Sequence, residues 1–289
     1  MSKQENILIY SGRITIMITY KDMFNLSGKT ALVTGALGIL GRNFCRGLAE
    51  AGANVVIVDL EEAKAEEFAI ELAEQYEVQA IGVGCDVSQS DQVSRMVQRT
   101  VSMFGEINIL HNNAASKSSD LERFLAPLED YTIETWREVM SVNLDGFFLV
   151  AKEVGKQMRK QGKGGSIIQT ASIYGAMGPD HRIYEGSFYM GKPISSPAVY
   201  SASKGGVIAL TKYLATYWAD IGIRVNSLTP GGVESGQNEE FSRRYSARIP
   251  LGRMASEHDM VGALLYLASD ASTYVTGQNI MVDGGLSAW

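Results

Sequence analysis

Tyr200 and Lys204 stand four positions apart in the run Tyr200-Ser201-Ala202-Ser203-Lys204. On a helix that spacing puts both side chains on one face, where they can act together. A free phenol titrates at about pH 10 and is a poor base at neutral pH. A neighbouring ammonium favours the phenolate and lowers that value. The pair suits the movement of a proton on and off an oxygen. A second run suits an anion: Thr34-Gly35-Ala36-Leu37-Gly38-Ile39-Leu40-Gly41. Glycines allow a tight turn there, and a helix start behind them presents unpaired N–H groups to phosphate. Asp59 lies 18 positions beyond Gly41. A carboxylate there can accept hydrogen bonds from ribose hydroxyls and would repel a 2′-phosphate. Either motif alone is common by chance.

The elements around these residues alternate. Thr30–Val33 reads as a buried strand, followed by the glycine turn and a helix from about Gly41 to Ala51. Asn54–Val58 is a second strand, and the acidic, alanine-rich run Glu61–Glu77 a helix with a solvated face. Further strands are expected at Ala80–Gly84, Ile107–His111, Ser166–Thr170, Arg224–Leu228 and Asn279–Val282. Such alternation predicts an α/β fold, a Rossmann-type doubly wound parallel sheet with helices on both faces, as a single domain. With the glycine turn opening that fold, Asp59 and no Lys or Arg in the turn, NAD is the expected cofactor rather than NADP. The domain is expected over 23–289. Residues 1–22 read as an extension, disordered or accessory, with Met23 a possible native start.

Of the 289 residues, 45% are hydrophobic and 20% charged, which is ordinary for a globular protein with a large core. A net charge of −6 leaves no electrostatic footprint for nucleic acid or an anionic membrane. Cys45 and Cys85 have no metal-type spacing and read as reduced thiols of a cytoplasmic protein. No apolar run is long enough to span a membrane.

More landmarks follow in order. They are Cys85-Asp86-Val87, Asn112-Asn113-Ala114-Ala115, Ser141-Val142-Asn143, Ser172 after a strand, then Tyr200/Lys204 and Arg224-Val225-Asn226. Thr229-Pro230-Gly231-Gly232 and Thr276-Gly277-Gln278-Asn279 complete the series. With the glycine turn, they make the chain from about Phe24 onward resemble the short-chain dehydrogenase/reductase family, single-domain type. The resemblance implies that Tyr200 exchanges the hydroxyl proton and that Lys204 binds the nicotinamide ribose and tunes Tyr200. It implies that Ser172 hydrogen-bonds the reacting oxygen and that Asn143 holds a water in the proton path. For NAD it implies Gly35, Gly38, Ile39, Leu40 and Gly41 at the turn, with Asp59 and Leu60 next to it. Asp86 and Val87 would flank the adenine, Asn113 and Ala114 the ribose, and Pro230, Gly231 and Val233 the nicotinamide. A homo-oligomer, tetramer or dimer, is also implied, with Leu286 covering its own core or joining Trp289 against a neighbour.

Four departures stand out. The turn reads TGxxGxxG, with Ile39 where the family usually has its middle glycine. Ala115 replaces the usual glycine, and His111 an apolar strand residue; a satisfied, partly buried histidine is expected there. Tyr200 follows Ser172 by 28 positions, about twice the family's usual separation. The extra residues, near 178–197, lie between two catalytic groups and are expected to border the substrate. His181, Arg182, Tyr184, Glu185 and Lys192 become candidate substrate ligands, the two cations for a phosphate or carboxylate. The segment Arg182-Ile183-Tyr184-Glu185-Gly186 and the turn Pro230-Gly231-Gly232-Val233 are similar to a subgroup associated with nonulosonic-acid sugar biosynthesis and flagellin modification. The expected activity is NAD(H)-dependent interconversion of a secondary alcohol and a ketone on a polar, sugar-like small molecule. Two alternatives are a 3-oxoacyl carrier-protein reductase, which the charged insertion suits poorly, and a non-catalytic NAD-sensing protein.

Overall fold

Seven short apolar runs pair, all in parallel, into one sheet. In chain order they are β1 (Thr30–Thr34), β2 (Asn54–Asp59), β3 (Ala80–Gly84), β4 (Ile109–Asn112), β5 (Gly165–Thr170), β6 (Ile223–Pro230) and β7 (Asn279–Val282). Their spatial order is β3-β2-β1-β4-β5-β6-β7. The structure is a computed structural model. It describes Ile7–Tyr10, Arg13–Ile16 and residues 19–289 apart from Met190 and Ile194, with the first two stretches, Tyr189 and Lys192 as backbone only. The expected extension 1–22 therefore lies partly outside the described residues; Ile7–Tyr10 pairs antiparallel with Arg13–Ile16.

Period-two side chains feed two cores. Ala31, Val33, Val55 and Ile57 join α1 (Ile39–Glu50), α2 (Glu62–Tyr76) and a late helix, Val261–Ala268, on one face. Leu32, Val56 and Val58 join α3 (Ser90–Phe104), α4 (Phe147–Gln161) and α5 (Ala198–Tyr217) on the other. Strands buried on both faces read as continuous apolar runs, as these do. Cys45 and Cys85 are both free and buried. Among the described residues no helix is long and apolar enough to cross a membrane.

Two of the boundaries that differ from the sequence expectation have a local cause. The first helix begins at Ile39 because Gly38 takes an extended N-cap conformation. The fourth strand begins at Ile109, since Gln161 bonds both the N–H (2.9 Å) and the carbonyl (2.8 Å) of Ile107 in place of a strand neighbour. A third, small core sits over the site. Ile183 from the insertion packs there with Phe241 and Tyr245 of α6 (Glu239–Ser246) and with Leu286. Leu286 thus covers its own core, while Trp289 stays exposed, its indole N–H on the Arg248 carbonyl at 3.2 Å.

Candidate active site

Chain order reverses between β1 and β4, and in open α/β sheets the crevice beyond the strand ends at such a point is where ligands sit. A cleft of about 370 Å³ lies there, bordered by Ile39, Asn113, Ser172, Tyr200, Lys204 and Pro230 among others. Ser172 leaves the end of β5, and the turn Ile173–Ala176 behind it rests on α5. A Cβ on Gly175 would fall 2.5 Å from the Lys204 carbonyl carbon. A residue without one lets this turn lie at the level of the tyrosine–lysine pair. Tyr200 is half-buried, and Ser172 hydrogen-bonds its phenol.

Burial dominates the electrostatics of both Tyr200 and Lys204. Burial pushes the Tyr200 phenol up, and only the Ser172 hydrogen bond works against it. The Lys204 ammonium donates to the Thr170 carbonyl at 2.8 Å and lies 4.7 Å from the Phe147 ring centre. Burial brings Lys204 itself down to about 7. His111 is fully buried, and its Nε2 pairs with the Thr170 hydroxyl at 2.9 Å, while Nδ1 has no partner among the described residues. Burial lowers that imidazole to about 3, so it is neutral. Asn143 lies in a π-helical stretch, Ser141–Gly146, that runs into α4. Its amide is tied to Ser116, accepting from the backbone N–H at 2.7 Å and donating to the carbonyl at 3.2 Å.

At the other end of the cleft the glycine turn closes tightly. Gly35 has φ +63°, and a Cβ there would lie 2.7 Å from the Ala114 Cα. A Cβ on Gly41 would lie 2.2 Å from the Gly35 carbonyl oxygen. A Cβ on Gly38 would have ordinary clearance, 3.4 Å from that oxygen. Ile39, half exposed, and Leu40 border the cleft at the helix start. The Asp59 carboxylate accepts from the N–H of Leu37 (2.9 Å) and of Leu60 (2.8 Å), which pins it beside the turn. Asp86 caps its own turn through Ser88 at 2.9 Å, and Val87 is buried against Gly146. Asn113 bonds back to the Thr34 hydroxyl and carbonyl, tying β4 to β1. Pro230, Gly231 and Val233 border the cleft from the end of β6.

The insertion divides. Tyr184 borders the cleft, with its hydroxyl donating to that of Tyr174 at 3.0 Å. His181, Arg182 and Glu185 are exposed and do not line it. Arg182 folds back onto Asp180 through two bonds of 2.8 Å. Glu185 offers its carbonyl to Arg244 at 2.8 Å. The cations expected to grip an anion are therefore reduced, among the described side chains, by one; the Lys192 side chain lies outside the described residues.

A sequence model of the family described as Enoyl-(Acyl carrier protein) reductase matches residues 35–287. The chain is 34% identical to an NADP-dependent mannitol dehydrogenase of Alternaria alternata, over 92% of this chain and 94% of that one. It is 32% identical to an NADH-dependent L-xylulose reductase of Ambrosiozyma monospora, over 94% and 100%. A crystal structure of a gluconate 5-dehydrogenase from Burkholderia cenocepacia J2315, in complex with NADP and tartrate, superposes with a TM-score of 0.81. It is 36% identical, over 93% and 98% of the two chains.

The chain belongs to the short-chain dehydrogenase/reductase family.

For a member of this family the residues present fit a nicotinamide dinucleotide. The helix start is open to phosphate, Gly35 and Gly41 admit the tight turn, and the cleft runs from there to Tyr200. Sequence reasoning missed part of the wall. Tyr174, Phe241 and Tyr245 border the cleft as well, and burial raises both tyrosine phenols. It also missed Thr34, whose hydroxyl accepts from the N–H groups of Asn113 (2.9 Å) and Ala114 (3.1 Å). A threonine before a glycine turn carried the only advance signal.

Proposed function

We propose that this chain is an NAD(H)-dependent oxidoreductase that interconverts a secondary alcohol and a ketone on a polar, sugar-like substrate. The observation that carries this reading is one cleft shared by Ser172, Tyr200, Lys204 and the start of α1. The relatives described above act, by their names, on mannitol, L-xylulose and gluconate, all polyhydroxylated. The narrower likeness to nonulosonic-acid enzymes rests on residues 182–186 and 230–233 alone.

In this mechanism Tyr200 donates its proton to the substrate oxygen during reduction and takes it back during oxidation. Ser172 holds the same oxygen as charge develops on it. Lys204, seated on Thr170, is within the cleft to meet a ribose hydroxyl. Asn143, its side chain tied to Ser116, would hold the water of the proton path. The cofactor, when bound, supplies or receives the hydride. Gly35, Gly38, Ile39, Leu40, Gly41, Asp59, Leu60, Asp86, Val87, Asn113, Ala114, Pro230, Gly231 and Val233 would hold it. Asp59, its carboxylate held by the N–H groups of Leu37 and Leu60, would repel a 2′-phosphate, which supports NAD.

Two measurements test this. Tyr200→Phe should lower kcat/KM by roughly 10²–10⁴ without changing Tm, the usual contribution of a positioned acid–base group. Wild type should prefer NADH to NADPH, and Asp59→Ala should narrow that preference. A wild type that prefers NADPH would refute the cofactor assignment, and an active Tyr200→Phe the mechanism.

A further inference from the structure

We infer that the cleft has a second lobe, which seats an apolar group at the far end of the substrate. This rests on the alcohol–ketone part of that reading and departs from its sugar-like substrate at the end far from the reacting carbon. The lobe holds about 250 Å³ and meets the main cleft at Tyr200, sharing Lys117, Tyr174, Tyr184 and Phe241 with it. Its own walls are Leu121, Phe124 and Leu125 on one side, and Ser195, Ser196 and Pro197 from the end of the insertion on the other.

Hydrogen-bond accounting decides what such a space can hold. The Ser195 hydroxyl donates to the Leu125 carbonyl at 3.0 Å, which stitches the two walls together. The Ser196 hydroxyl bonds Tyr184, and Tyr184 donates onward to Tyr174 at 3.0 Å. The Gln237 amide donates to the Val233 carbonyl (3.1 Å) and the Ser235 hydroxyl (2.9 Å), and accepts from the Ser235 N–H (2.7 Å). These polar groups already have protein partners. A hydroxyl entering the lobe leaves water for walls that are largely satisfied, which is unfavourable. A hydrocarbon group gains by the same move. The reacting lobe is different, since Ser172 and Tyr200 face it with the hydroxyls that handle the substrate oxygen.

Size sets the limit. An apolar cavity of roughly 150 Å³ accepts benzene, so a lobe of about 250 Å³ has room for a ring or a short alkyl chain. The substrate class is an amphipathic secondary alcohol or ketone, hydroxylated beside the reacting carbon and apolar beyond it. The insertion supplies Tyr184 and the 195–197 wall, so it shapes this preference through an apolar surface rather than through Arg182.

Ketones of the form HOCH₂–CO–R, with NADH, test the inference. As R lengthens from methyl to hexyl, kcat/KM should rise roughly fourfold per methylene, and each should exceed the ketose of equal length. Leu125→Trp should abolish that dependence on length. A flat series, or a preference for the ketoses, overturns the inference and leaves the oxidoreductase reading standing. If neither class turns over, it is the sugar-like substrate of the proposed function that falls. The lobe is then judged by crystals soaked in iodobenzene: iodine density between Leu121, Phe124 and Leu125 supports it, and ordered water alone overturns it.

Discussion

Lys204 shows how far residue types alone lead. Its spacing from Tyr200 was legible, and so were Ser172 and Asp59, because local runs carry their motifs. Its partner was not, since Thr170 lies a strand away and only the fold brings its carbonyl to 2.8 Å. Tyr174 and Tyr245 escaped notice for the same reason; in sequence a partly apolar tyrosine looks like core. The buried ammonium has a consequence for stability. A free lysine titrates at about 10.4, and burial brings this one to about 7. Between those values the unfolded chain binds more protons here, so this residue makes stability rise with pH across that window. Below about 7 both states are charged and the whole penalty applies. Thermal melts of the cofactor-free protein should show wild type gaining on Lys204→Met as pH rises through the window. Parallel curves would contradict the buried, depressed lysine.

At the level of elements, strands were read well because burial on both faces leaves unbroken apolar runs. Thr30–Thr34 and Asn54–Asp59, their central residues buried, run one residue past the expected ends. Helix ends were read less well, because caps depend on backbone conformation that glycine leaves open. The start of α1 is the functional case. Gly41 sits inside the helix, with the Gly35 carbonyl where a methyl would go. Gly41→Ala should therefore push the turn and helix apart, at a cost of roughly 1–3 kcal/mol. It should also weaken NADH binding more than a Tyr200→Phe change does. Equal affinity, measured by NADH fluorescence titration, would show that the turn has slack. The insertion was legible as an insertion and misleading as chemistry. Its charges suggested an anion clamp, yet Asp180 takes Arg182 locally and sits 3.6 Å from Arg248 as well. Ile183, unremarkable in sequence, is what fastens the segment to α6.

For the whole molecule, the two cores flank the sheet while the third joins the insertion, α6 and the tail over its open end. The first two hold strands locked on both sides. The third is small and lined by exposed turns. Stability should then be uneven, since regions with few buried contacts open at lower free energy. Hydrogen exchange in the absence of ligand should be fastest over residues 181–188 and slowest along β1, β4 and β5. Uniform protection would argue against this division.

The end of β5 gives that division a sharper meaning. Thr170 is gripped by His111 through its hydroxyl and by Lys204 through its carbonyl, and the next residue, Ala171, donates to Leu228 at 2.9 Å. Ser172 follows directly. The reacting end of the cleft is thus an anvil, fixed to the centre of the sheet. Accommodation to differently shaped molecules falls to the opposite jaw, where Tyr184 and Phe241 stack on each other. Evolution or engineering could retool that jaw for new substrates without disturbing the place where the proton moves.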